Sequence, residues 1–111
     1  MATTPVVLIA AAQLANTATT LYTATLVKAR IDKLTCTNND TVAHTITFHI
    51  IASAGSATTS NKIIAAKSLA AGETYTCPEM IGHWLTAGQF IQGFADTAAM
   101  VTVRASGIES T

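Results

Sequence analysis

The side chains able to do chemistry are few: His44, His49 and His83, Cys36 and Cys77, and six carboxylates. A metal centre would need several of them to converge. His44 and His49 differ by five positions, so on one strand they point to opposite faces and share no ion without a bulge. Neither cysteine stands in a C-x-x-C arrangement, so a structural zinc site lacks its usual spacing, and the nearest potential ligand in sequence to His83 is Glu79. No metal or other cofactor is expected, and the histidines read as surface or partly buried residues. Nucleophilic catalysis fares no better. There is no G-x-S-x-G elbow, and the serines, Ser68 apart, gather in Ser53–Ser60 or near the C-terminal end. A Cys77, His83 and Glu79 grouping would supply a thiolate and a base, but nothing in the sequence brings the three together. The carboxylates are isolated, which suggests no acid/base pair, and the glycines form no phosphate-cradling loop. Trp84 and Tyr75 would suit a sugar platform, yet with 5% aromatics they read as core anchors. The expectation is a protein with no catalytic residues.

The elements that must position these side chains read as β throughout, because Thr, Val and Ile are frequent and suit the pleated surface. Ala43–Ala52 is the clearest strand, with Ile46, Phe48 and Ile50 alternating against Thr45, Thr47 and His49. Met100–Ser106 is the next, with Val101, Val103 and Ala105 facing inward. Both are expected to be covered on one face only. Leu21–Lys28 and Arg30–Asn38 are expected to pair, and Asn38-Asn39-Asp40 to turn the chain into a hairpin with Ala43–Ala52. Lys62–Ser68 and Glu73–Cys77 read as short strands around an Ala71-Gly72 turn. Gln89–Ala95 reads as a strand with Phe90 and Phe94 opposite Gly93, and Ser53–Asn61 as a loop with nothing to bury. Pro78–Leu85 fits a short helical turn, and Val6–Ala15 fits a strand or a short helix, with the strand preferred. About eight short strands predict an all-β, two-sheet antiparallel β-sandwich of the jelly-roll kind.

Composition narrows the role. A chain of 111 residues is one domain with an ordinary core. Only 11% of residues are charged, and six basic side chains balance six acidic ones, against roughly a quarter charged in a typical soluble domain. A surface so weakly charged suits a protein that ends up against other subunits. The one local basic group, Lys28, Arg30 and Lys33, contains Asp32 and no aromatics, so no nucleic acid is expected as partner. The apolar run Val6–Ala12 is far short of a membrane span, and the basic start of a secretory signal is missing. The expected setting is a cytoplasm or a particle assembled there, with two reduced, partly buried thiols. The spacing leaves a bridge between them open.

Several segments resemble one kind of protein. These are Thr20-Leu21-Tyr22-Thr23-Ala24, Lys28 to Thr35 with Thr37-Asn38, Thr45 to Ile50, Leu69 to Tyr75, Leu85 to Ile91, and Val101 to Glu109. Together they are similar to small virion proteins of tailed phages, nearest to the capsid cement or staple (decoration) proteins of short-tailed phages. The resemblance spans Thr20–Glu109 and implies a β-sandwich that binds the outer capsid surface, its partner being the major capsid protein. It implies no catalytic residues. A tail, neck or fibre component is the alternative, and a carbohydrate- or receptor-binding module a more distant one. A homodimer is expected, because a self-complementary patch is the simplest closed assembly, with a trimer as second choice. Residues 1–19 fall outside the resemblance and are read as an N-terminal arm or strand beside a 20–111 sandwich. The expected interface residues are Val6, Val7, Leu8 and Ile9 on Met1–Ala15, and Lys28 and Arg30 toward an acidic capsid surface.

Overall fold

The computed structural model describes residues 2–111. Its nine strands are β1 (Thr3–Gln13), β2 (Thr19–Thr23), β3 (Lys28–Asn38), β4 (His44–Ile51), β5 (Lys62–Leu69), β6 (Thr74–Tyr75), β7 (Trp84–Leu85), β8 (Phe90–Ala95) and β9 (Val101–Ser110). They form two antiparallel sheets. The first runs β1-β9-β3-β6, with β7 also pairing β3, and the second runs β2-β8-β4-β5. Apart from β7, successive strands alternate between the sheets from β1 to β4 and from β5 to β6. This is the double Greek-key order of a jelly roll.

The alternation corrects two local expectations. β2 and β3 do not pair, because they lie in different sheets. Asn38-Asn39-Asp40 does not close a hairpin, since β3 and β4 are also in different sheets, and the turn carries the chain across the end of the sandwich. Nor do β5 and β6 pair across Ala71-Gly72. In each case local turn chemistry fixes where the chain bends, while core burial selects the partner strand. The Asn38 side chain serves the crossing. It is fully buried, with Nδ2 donating to the carbonyls of Val42, Leu69 and Ala70 while Oδ1 accepts from the Asp40 N–H. Pro78–Gly82 forms successive turns rather than a helix, with Met80 N–H donating to the Cys77 carbonyl and Ile81 N–H to that of Pro78.

The core lies between the sheets. Ile31, Leu34, Cys36, Val101, Val103 and Ala105 come from the first, and Ile46, Phe48, Leu69, Ile91 and Ala95 from the second. Alternation in β9 holds as expected. In β4 the outer face is covered too, because Thr47, His49 and Ile51 are buried. The 53–61 segment supplies the cover: Asn61 Oδ1 lies 2.7 Å from His49 Nδ1, and Gly55 sits against Ile51.

β3 and β9 are out of step at one point. Ile31 pairs with Gly107 and Lys33 with Ser106, so Asp32 is an extra residue in β3. The bulge reverses the inside–outside phase: Ala29 and Ile31 point in before it, Leu34, Cys36 and Asn38 after it. Gly107 is required opposite, since a Cβ there would lie 1.9 Å from the Arg30 carbonyl oxygen.

Gly93 faces inward where the Phe48 ring fills the space of a side chain, with Cε2 at 2.6 Å from the Cβ position. Gly93→Ala is expected to cost about 1–3 kcal/mol by overpacking. Adding Phe48→Leu should recover part of that loss, so the double variant is more stable than the sum of the single changes. Urea unfolding of the four proteins measures the coupling, and strict additivity would disprove the contact.

Candidate functional site

The histidines and cysteines take separate places in the fold. His44 is at the start of β4, His49 points to its outer side, and Cys77 lies beside Cys36. Sγ of Cys77 is 3.8 Å from Sγ of Cys36, both thiols are free, and both residues are fully buried. The Cys77 bond and then burial push the Cys36 thiol well above its ordinary range, which keeps Cys36 protonated at neutral pH. Neither thiol should react with a disulfide reagent in the native protein at neutral pH, and both should in denaturant. A native-state reaction as fast as that of a free thiol would contradict the buried pair.

His44 is a clamp between two loops. Its Nε2 lies 2.7 Å from Asp40 Oδ2 in the β3–β4 connection, and its Nδ1 2.8 Å from Asp96 Oδ1 in the β8–β9 connection. The side chain is only 7% exposed. The Asp40 bond, assisted by Asp96 and opposed by burial, raises the imidazole pKa, and the His44 bond, with the Thr41 N–H, lowers that of Asp40. An imidazolium donates to both carboxylates, whereas neutral imidazole has one N–H and leaves the other carboxylate facing a lone pair. His44 therefore adds stability that is complete below its ordinary pKa of 6.5 and is lost as pH rises through the raised value. Asp40 adds stability that is complete above 3.8 and is lost as pH falls through the lowered one. The melting temperature should fall as pH rises above about 6.5, and more steeply than in His44→Gln; equal slopes would rule out the clamp.

The aromatic pair cannot form one sugar platform. Trp84 pairs with Arg30 and Tyr75 with Cys36, six residues and so about 20 Å apart along β3. Trp84 is 48% exposed, with the Arg30 guanidinium carbon 5.6 Å from its ring, so it is not the core anchor expected. Tyr75 packs on the core from the other side of the sheet. Lys67 Nζ stands 5.1 Å from its ring, and its hydroxyl donates to Glu79, which pushes the phenol up to about 12.

The residues expected at an interface all fall on the first sheet. Val7 is 51% exposed at its edge, Lys28 is exposed, and Val6 and Arg30 are half-buried. Leu8 and Ile9 correct the expectation: they are core residues, because the register shifts between Val7 and Ile9 and both turn inward. Residues 3–13 run antiparallel to β9 as an edge strand. Met1 lies outside the described residues.

Sequence reasoning passed over Lys33 and Arg104 as contact residues. Arg104 pairs with Thr35 and Lys33 with Ser106, so the two cations are diagonal neighbours on the outer face. With Thr35, Ala105 and Ser106 they line an open hollow of about 320 Å³. Beside it, sharing Ser106, is a second hollow of about 490 Å³ lined mainly by Pro5, Val6, Val7, Gly107 and Ile108, with Asp32.

Comparison with protein-family models, curated proteins and solved structures finds no match to this chain.

Charge on the surface is distributed unevenly. Each of the six carboxylates is held within the molecule: Asp32 by Arg30, Asp40 and Asp96 by His44, Glu73 by the Ala70 N–H, Glu79 by Tyr75 and Glu109 by Tyr22. Among the described residues, Arg30 alone of the six lysines and arginines makes an ion pair with a carboxylate.

Proposed function

We propose that this protein is a structural virion component that binds the outer surface of a phage capsid and stabilises contacts between major capsid subunits, working as a homodimer and without catalysis. The observation that carries the reading is the sparseness of charge on the folded surface. Twelve charged side chains are spread over 5560 Å², about one per 460 Å², with no net charge. A free monomer normally keeps apart from its neighbours by more charge than this. Such a surface is suited to burial against other subunits, where a firm contact takes roughly 800 Å² per partner. Thr and Ala lose little side-chain entropy on ordering. The jelly roll agrees with the role, being an architecture also used by capsid and lectin domains, though fold alone does not fix function. The resemblance of residues 20–109 to phage cement and staple proteins points the same way.

β1 has the surface for such a contact. None of its eleven residues is charged, and Val7 stands open on it. Deleting the segment would remove a strand with core residues Leu8, Ile9 and, just beyond it, Leu14, so a point change is the cleaner probe. In rate-zonal sedimentation of a native lysate, the protein is expected to travel in many copies with DNA-filled heads, tailless ones included. Val7→Lys should reduce that association about tenfold or more through an unpaired desolvated charge, with the melting temperature unchanged. Travel only with tailed particles, in few copies, would move the protein to the tail or neck. Absence from particles altogether would end the virion reading.

A further inference from the structure

We propose that the hollow between Lys33 and Arg104 is an anion socket that takes a carboxylate side chain from an acidic protein surface, with the neighbouring hollow seating the apolar part of the same contact. The inference rests on the reading of this chain as a protein-binding subunit, and names the place and chemistry of the contact.

The bulge makes the socket. Without the extra residue Asp32, the phase set by Ala29 and Ile31 would turn Lys33 toward the core; with it, Lys33 and Thr35 point outward beside Arg104 and Ser106. Bulges commonly re-aim a side chain in this way. Two cations diagonal on adjacent strands repel each other, and no described carboxylate pairs with either. Asp32, the nearest acid along the strand, is held by Arg30 at 2.7 Å. Two like charges are thus placed together, in a chain with few charges, without a counter-ion of its own.

The lining chooses the ligand. Arg104 offers a planar fork to a carboxylate and Lys33 a point charge. Thr35 and Ser106 add hydroxyl donors. A volume of about 320 Å³ open to solvent admits the end of an Asp or Glu side chain. The adjoining hollow presents Pro5, Val7 and Ile108, and apolar surface beside a polar anchor is the make-up of protein interfaces. Nucleic acid would call for a longer basic stripe with stacking rings, and a sulfated glycan would leave the apolar hollow unused.

The test titrates the full-length, isotope-labelled protein with a hexaglutamate peptide and, separately, with a heparin hexasaccharide, following backbone amide shifts. Hexaglutamate should move the amides of Lys33, Thr35, Arg104 and Ser106. Lys33→Gln/Arg104→Gln should weaken binding about tenfold or more, while Lys62→Gln/Lys67→Gln on β5 leaves it unchanged. The first pair should melt no lower than the parent, since it removes a repulsion. Shifts elsewhere, or equal weakening by both pairs, would overturn the socket; tighter binding of the hexasaccharide would overturn the assignment to a protein carboxylate. Purified heads supply the second arm. Loss of head binding in Lys33→Gln/Arg104→Gln alone supports the socket as the capsid contact, and full retention overturns it. If the parent protein binds hexaglutamate at these amides but no heads, the virion reading fails and the socket stands.

Discussion

The pairing of β3 with β9 is the constraint on which the rest of this molecule depends. These two long strands sit at the centre of the first sheet, and their ladder slips by one residue at Asp32. The slip lets Ile31, Leu34 and Cys36 all reach the core although their spacing breaks a strict alternation. It requires the absence of a side chain at Gly107, where the Arg30 carbonyl comes too close for any Cβ. It also sets which charged residues the sheet displays. A single extra residue thereby links the packing of the interior to the chemistry of the exterior.

The two ends of the sandwich are closed by different means. At the end where the β3–β4 and β8–β9 connections meet, polar side chains join the loops: Asn38 reaches the carbonyls of Leu69 and Ala70, and His44 bridges Asp40 and Asp96. At the other end the β2–β3, β4–β5 and β7–β8 connections carry no charged side chain, and Leu26 stands 88% exposed with a positive φ of 59°. Across the sandwich toward that end, the Tyr22 hydroxyl of β2 donates to Glu109 of β9 and ties one sheet to the other. The acids are largely used in this internal work, and the cations are not. A chain whose formal charge sums to zero therefore displays cations that, Arg30 apart, pair with no carboxylate among the described residues.

Much of the fold was legible along the chain, because strand patterning is local. Val101, Val103 and Ala105 alternate with Thr102, Arg104 and Ser106, and a strand with one buried face produces that pattern. Turn residues at Asn38–Asp40 and Ala71–Gly72 mark real bends. The surface candidates were partly legible: Val7, Lys28 and Arg30 are accessible on the first sheet, but the Val6–Ile9 run gave no sign that its register shifts and buries Leu8 and Ile9. Lys33 and Arg104 stayed hidden as a pair because they are far apart in sequence and become neighbours through a ladder register.

By itself the sequence determined that this chain is β, that it forms two sheets, and that its surface carries little charge. Periodicity, β-branching and composition are properties of neighbours in the chain or of the whole, and need no knowledge of the partner strand. The tertiary structure alone decided which strands pair, where the ladder slips, and which acids are engaged with which bases. Those outcomes depend on burying both inner faces at once, so residues as distant as Cys36 and Cys77, or His44 and Asp96, meet only when the sandwich closes.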